Sequence, residues 1–182
     1  EDDGYAVAFD RAAGREPPGS GPLGGGRWVP AASRASRRGA RAPATKPADL
    51  ANHVMLLLHD PQGRWPWISW ASWLEAHGVA GLVPRGTLTY DQYDQVVQAA
   101  LHGQGVALGR RPVVSTFTDD GRLVSLFGEG ASIPRALHAV YARGAEGRPE
   151  ASAFVAWLRE ELGRDGKAAP ARRPAGRARR AD

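Results

Sequence analysis

Five histidines, His53, His59, His77, His102 and His138, are the first residues to test for chemistry. No two of them stand as His-x-x-x-His on one helix, and none has a carboxylate at ligand spacing. A metal site needs three or four convergent ligands, so no metal is expected. The chain has no cysteine, which removes thiolate nucleophiles, Cys-ligated zinc and disulfides. No Gly-x-Ser-x-Gly elbow occurs, and spacing alone nominates no Ser, His and acid set. The residues therefore point away from an enzyme and from a resident cofactor. Gly103-Gln104-Gly105-Val106-Ala107-Leu108-Gly109 has the glycines of a dinucleotide loop but one residue too many. It also follows a helical pattern and precedes a strand, whereas a phosphate loop needs strand then helix so that the phosphate rests on the helix N-terminus. It reads as a tight helix-to-strand connection. Trp65, Trp67, Trp70 and Trp73 could form an aromatic ligand cage or a bulky helix face. Their helical spacing favours the face, with Trp70, Trp73 and Leu74 inward and Trp65 and Trp67 nearer the surface.

The elements that must position these residues read as an alternation of strands and helices, the α/β signature. Pro47-Ala48-Asp49-Leu50 is one helical turn capped by Thr45, and the apolar run Val54–Leu58 is a buried strand. After turn chemistry at Asp60–Gly63 comes the tryptophan helix, stopped at Gly78 by a left-handed residue. Residues 81–84 are a weak strand. Thr89-Tyr90-Asp91-Gln92 has the Thr-x-x-Gln form of a capping box, which predicts a helix starting at Tyr90. Tyr93, Val96, Val97, Ala100 and Leu101 share one face of that helix, and Gly103 ends it before the strand Val106–Leu108. Arg111–Thr116 is an extended connection and Asp119-Asp120-Gly121 a turn. Strands follow at Arg122–Phe127 and Leu137–Ala142. The last helix opens at Pro149, presents Phe154, Trp157, Leu158 and Leu162 on its faces, and stops at Gly163.

Charge separates the flanks from this core. Lysine and arginine total 24 against 19 acidic residues, a net of +5. Residues 163–182 carry Arg164, Lys167, Arg172, Arg173, Arg177, Arg179 and Arg180 against Asp165 and Asp182, and residues 10–46 are basic as well. Residues 47–162 are slightly acidic. A basic stripe on a folded surface is thus not expected, and any nucleic-acid contact by the tail would be salt-sensitive and without base readout. The tail reads as disordered. Residues 10–46, with Pro17-Pro18-Gly19-Ser20-Gly21-Pro22 and Gly24-Gly25-Gly26, read as barred from regular elements apart from a short strand at Val29–Ala32. Their composition resembles what a GC-rich gene yields when translated out of frame. No apolar run approaches the length of a membrane span, and no secretion signal precedes the core, so a cytoplasmic protein with no membrane partner is expected. Glu1 reads as a cut end rather than a start. The chain accordingly divides into 1–46, poorly ordered or degenerate, 47–162, folded, and 163–182, a basic disordered tail.

Five segments in one order carry a family resemblance: Thr45–His53, Trp70-Ala71-Ser72-Trp73-Leu74 with Gly78, Gln98–Gly109, Gly121-Arg122-Leu123-Val124 with Phe127, and Ala153–Leu162. Together they resemble the effector-binding domain of LysR-type transcriptional regulators, in particular the glycine-cleavage-activator-like branch. The likeness covers residues 47–162 and is weaker at Gly4–Phe9. It implies a partial, two-lobed, type-2 periplasmic-binding-protein-like domain that binds a small-molecule effector and assembles as a homodimer or tetramer in the intact regulator. In that family DNA is read by an N-terminal winged helix-turn-helix, which this sequence lacks, along with most of the first lobe. Residues 47–109 then form most of the second lobe, residues 110–116 cross back, and residues 121–162 return to the first lobe. A periplasmic-type solute-binding protein is the alternative of similar fold.

The same mapping turns the strand-to-helix corner at Thr87–Gln92 toward the effector cleft. Free backbone N–H groups and the positive end of a helix there suit a carboxylate. Thr89, Tyr90 and Asp91 are therefore the candidate effector-binding residues. The alternative is that Thr89 only caps its helix and Tyr90 only packs.

Overall fold

In the computed structural model, which describes residues 6–9, 20–39, 43–62, 69–141 and 148–165, the strands form one mixed sheet. They are β1 (Ala6–Phe9), β2 (Ser20–Ser33), β3 (Val54–Leu58), β4 (Gly86–Tyr90), β5 (Val106–Arg111), β6 (Leu123–Ser125) and β7 (Ile133–Val140). The helices are α1 (Arg34–Gly39), α2 (Trp70–Ala76), α3 (Tyr93–Leu101), α4 (Ser115–Asp119) and α5 (Pro149–Asp165), with 3-10 turns at Pro47–Asn52 and Glu129–Ala131. The strand order is β1-β7-β2-β5-β3-β4, and β6 pairs with β2. β3 runs parallel to both β4 and β5, whereas β2 is antiparallel to β5, β6 and β7.

The largest departure from expectation is β2. Residues 20–33, read as barred from regular structure except at Val29–Ala32, are a strand at the centre of the sheet, and α1 follows it. Backbone pairing on both sides overrides the weak strand propensity of glycine and proline. Each irregular residue also has a place. A register shift lies between Pro22 and Gly24, and Pro30, which has no N–H to give, accepts a bond from Leu126 N at 3.0 Å. Gly24 takes φ 156°, a conformation that favours glycine, and a Cβ built there would only touch Leu162 Cβ at 3.7 Å, an ordinary contact. Trp28, Val29, Ala31 and Ala32 are buried, so the strand expected at Val29–Ala32 is the apolar end of a much longer one. Residues 1–5, 10–19, 40–42 and 166–182 lie outside the described residues, as do Trp65 and Trp67.

Other boundaries moved for local reasons. The weak strand expected at 81–84 is a turn with Gly81 at φ 75°, and the strand begins instead at Gly86. β4 continues through Thr89 and Tyr90 because both pair with β3, Leu57 with Thr89 and Leu58 with Tyr90. The capping box therefore does not form, and α3 starts at Tyr93 behind Gln92. Nor does Thr45 cap the 3-10 turn as an acceptor: the carboxylate of Asp49 reaches back and accepts from Thr45 N, Thr45 Oγ1 and Lys46 N at 2.8, 2.8 and 3.0 Å. Those three donors hold the Asp49 carboxyl below its ordinary value. Residues 111–116, expected to cross over as extended chain, end β5 and open α4. β6 is shorter than expected, β7 begins earlier, and α5 runs past Gly163 to Asp165.

The tryptophan helix packs as its spacing predicts. Ser69 caps α2 by accepting from Ser72 N at 3.1 Å, and Gly78 at φ 70° follows the helix. Trp70 and Trp73 are buried on one face of the sheet, where their Nε1 atoms donate to Leu56 O and Ala131 O, each at 2.9 Å. On the opposite face α3 buries Val96, Val97 and Ala100 against Leu56, Ala107 and Ala31. Each buried valine there contributes about 1.5–3 kcal/mol of apolar transfer. On α5, Ala151 and Val155 are the buried residues, while Phe154 and Trp157 stay exposed.

Candidate functional site

In an open α/β sheet, ligands sit outside the carboxyl ends of parallel strands, at the point where successive connections leave to opposite faces. Here that point lies between β3 and β5. The chain leaves β3 for α2, whose tryptophans pack in one core cluster, and leaves β5 for α4, whose Phe117 packs in the other. By that rule the carboxyl ends of these adjacent strands are the candidate ligand edge.

The register fixes which residues edge it. Leu58 pairs with Tyr90, and Leu56 with Ala107, so Tyr90, Leu58 and Gly109 lie on one level. His59 N donates to Tyr90 O at 2.7 Å and extends the ladder one step. The next level contains Asp91, His59 and Arg110, with Trp28 paired to Arg110 on β2. At about 4.8 Å per strand, Asp91 and Arg110 lie on tracks about 10 Å apart, the span of a small ligand.

All three residues predicted from the sequence fall on this edge. Thr89 and Asp91 are exposed, and Tyr90 is half-buried with its hydroxyl donating to Gln104 Oε1 at 2.6 Å. Thr89 caps no helix. Gln92 occupies the cap position of α3 with extended backbone and no side-chain cap bond, so the first-turn N–H groups face this edge without a side-chain acceptor. The positive end of the helix dipole favours an anion there.

Sequence reasoning missed the cationic side of this edge. The Arg110 guanidinium lies 5.0 Å from the Tyr93 ring centre and 5.9 Å from that of Trp28, and the two rings meet edge-on at 6.3 Å. Tyr93 Oη accepts from Arg110 N at 2.6 Å and donates to Leu108 O at 3.4 Å. Burial pushes the Tyr93 phenol up to about 12, and the N–H and charge of Arg110 oppose that shift. Burial likewise pulls the Arg110 guanidinium below its ordinary value. Arg111 donates from Nη2 to Thr118 Oγ1 at 3.2 Å, which ties the end of β5 to α4. The available signal was Arg110-Arg111 directly after a buried apolar strand in an otherwise acidic stretch. What hid it is that Trp28, Tyr93 and Arg110 meet only through the strand order. Among the described residues no three His, Asp or Glu side chains are grouped to hold a metal ion, and no helix is long and apolar enough to cross a membrane.

Comparison with known proteins gives one consistent result. The family model described as the LysR substrate binding domain matches residues 5–163, beginning well upstream of Pro47, where the resemblance in the sequence faded. Among curated relatives, the HTH-type transcriptional regulator DsdC of Escherichia coli K12 is 34% identical over 114 residues, 58% of this chain and 35% of that protein. The glycine cleavage system transcriptional activator of the same strain is 29% identical over 116 residues, 64% of this chain and 36% of that protein. The matches thus span about a third of each relative's length. Among solved structures, the C-terminal domains of a LysR family protein from Agrobacterium tumefaciens align with a TM-score of 0.60 at 26% identity, covering 86% of this chain and 72% of that one. The CrgA regulatory domain of Neisseria meningitidis gives 0.64 at 24% identity, covering 87% and 75%, and so speaks to the fold alone. Such regulatory domains have a periplasmic-binding-protein-like fold, which is the class expected from the sequence. With β2 at the centre of its sheet and the family match running from β1 through most of α5, this chain belongs to the LysR substrate-binding domain family.

Proposed function

We propose that this domain senses a small carboxylate effector at the carboxyl edge of β3, β4 and β5, and passes the result to the DNA-binding part of a LysR-type transcriptional regulator. The observation that carries the reading is the shared level of Asp91, His59 and Arg110 beside the uncapped start of α3. In this reading the α3 N–H groups and the Arg110 charge hold the carboxylate. Thr89 and Tyr90 border it, and Asp91 faces any amino group the effector carries. The protein is cytoplasmic, works as a homodimer or tetramer, and meets DNA only through a winged helix-turn-helix that is not part of residues 1–182. The name of one relative, a glycine cleavage system activator, makes glycine the first probe.

A thermal-shift screen of glycine, acetate and malonate tests this, followed by calorimetry of the best probe. Thr89→Ala is expected to weaken it by about tenfold, and Asp91→Asn to weaken glycine by about tenfold without weakening acetate or malonate, both variants leaving the melting temperature of the unliganded chain unchanged. Equal affinity for the wild-type chain and both variants would overturn the assignment.

A further inference from the structure

The parallel strands begin at the opposite edge of the sheet, and a cavity of about 270 Å³ opens there. Asn52 and His53 enter it from the start of β3, Arg85 from the start of β4, His102 and Gln104 from the α3–β5 turn, and Ser36 from α1. Among the described residues the lining has one guanidinium and two imidazoles but no aspartate or glutamate. Two of its polar groups, the Gln104 amide and the Ser36 hydroxyl, can donate into it. Tyr90 OH donates to Gln104 Oε1 at 2.6 Å, which leaves the amide NH₂ of Gln104 to donate elsewhere. His102 Nδ1 lies 2.8 Å from Gln98 O, a carbonyl that can only accept, and this bond fixes the ring at the cavity rim. Ser36 Oγ is buried with no hydrogen-bond partner among the described residues, an arrangement that stays unfavourable until a bound group supplies one.

The floor is kept clear by glycine. At Gly103, φ is 79°, and a Cβ would stand 3.4 Å from Ser33 Oγ and 3.7 Å from Ser36 Oγ, inside the cavity. The volume lies below the range of about 300–1,000 Å³ usual for drug-sized ligands, so the occupant is small. We propose that this cavity binds a small oxyanion, with Arg85 as its charge partner and the Gln104 amide and Ser36 hydroxyl as donors. The cavity lies at the other end of β3 and β4 from the corner at Thr89–Asp91, to which the Tyr90–Gln104 hydrogen bond links it, and the proposal does not rest on an effector bound at that corner.

The test is an amide NMR titration of the 182-residue chain in a chloride buffer, with inorganic phosphate in one series and acetate in the other. Saturable shifts centred on Arg85, Gly103, Gln104 and Gly105 are expected in at least one series. Phosphate alone identifies a tetrahedral ligand and acetate alone a carboxylate. Arg85 is exposed, so Arg85→Gln should fold normally and weaken binding about tenfold. Should that variant not fold, Asn52→Ala, also at an exposed residue, is to shift the affinity in the same direction. Shifts that fail to saturate in both series, or that are the same in the folded Arg85→Gln chain, would refute the site.

Discussion

Replacing Gly105 by alanine should destabilise the domain by about 2 kcal/mol, and the reasoning needs only one contact. A Cβ there would lie 2.5 Å from Val54 O and 3.0 Å from Leu56 Cδ2. Val54 O is backbone at the first residue of β3, a strand held by β4 on one side and β5 on the other, so it cannot rotate aside. Relief requires the strands to separate by about 0.7 Å at their closest point, in a core that tolerates little movement. Overpacking of this kind costs about 1–3 kcal/mol, and a backbone obstacle puts Gly105 at the upper end. Alanine recovers about 0.4–1 kcal/mol by restricting the unfolded chain, which leaves about 2 kcal/mol of net loss. For a domain of this size that is a fall of about 4–8 °C in melting temperature. Urea unfolding followed by tryptophan fluorescence measures it. The matched control is Gly163→Ala on α5, where an added Cβ meets nothing within 4 Å and helix propensity alone predicts a gain of about 0.5–1 kcal/mol. A Gly105→Ala chain within 0.5 kcal/mol of wild type, at unchanged m-value, would refute the close approach of β3 and β5.

Three further outcomes follow from the same contacts. Trp73→Phe removes the Nε1 donor from Ala131 O and opens space beside Trp70 and Phe127, for a loss of about 2–4 kcal/mol in the same unfolding assay. Tyr93→Phe leaves Arg110 N without its acceptor and should cost about 1–3 kcal/mol at neutral pH. Because the folded-state phenol is raised to about 12 from 10.0, its contribution is complete below pH 10 and is lost between pH 10 and 12. The wild-type stability should therefore fall faster than that of Tyr93→Phe across this window, as paired urea titrations at pH 9 and 11 can read. Thr89→Ala, at a strand residue that caps no helix, should change stability by less than about 0.5 kcal/mol, where loss of a true cap would cost about 1 kcal/mol.

Elements that bury a strongly patterned face were legible in the sequence. β3 is a continuous apolar run, α3 carries its core residues on one face, and Gly78, Gly103 and Gly121 take the left-handed conformation their positions suggested. β2 was not legible, because glycine and proline have poor strand propensity and only the partners on both sides make Ser20–Ser33 a strand. The Thr89 capping box failed for the same reason: pairing with Leu57 and Leu58 holds Thr89 and Tyr90 in β4 before the helix can claim them. Of the candidate site, the corner at Thr89–Asp91 came from the family resemblance alone. Arg110, Tyr93, Trp28 and His59 could not be joined to it without the order β2-β5-β3-β4, which places residues more than 80 positions apart in sequence on neighbouring strands.

Mapping where a small carboxylate touches the chain decides whether the carboxyl edge of β3, β4 and β5 is the effector site. Amide NMR shifts are to be followed during titration with the carboxylate that most raises the melting temperature. Saturable changes are expected at His59, Thr89–Tyr93 and Arg110–Arg111, the carboxyl edge of the parallel strands. Saturable changes confined to other parts of the sheet, with that edge unmoved, would contradict it.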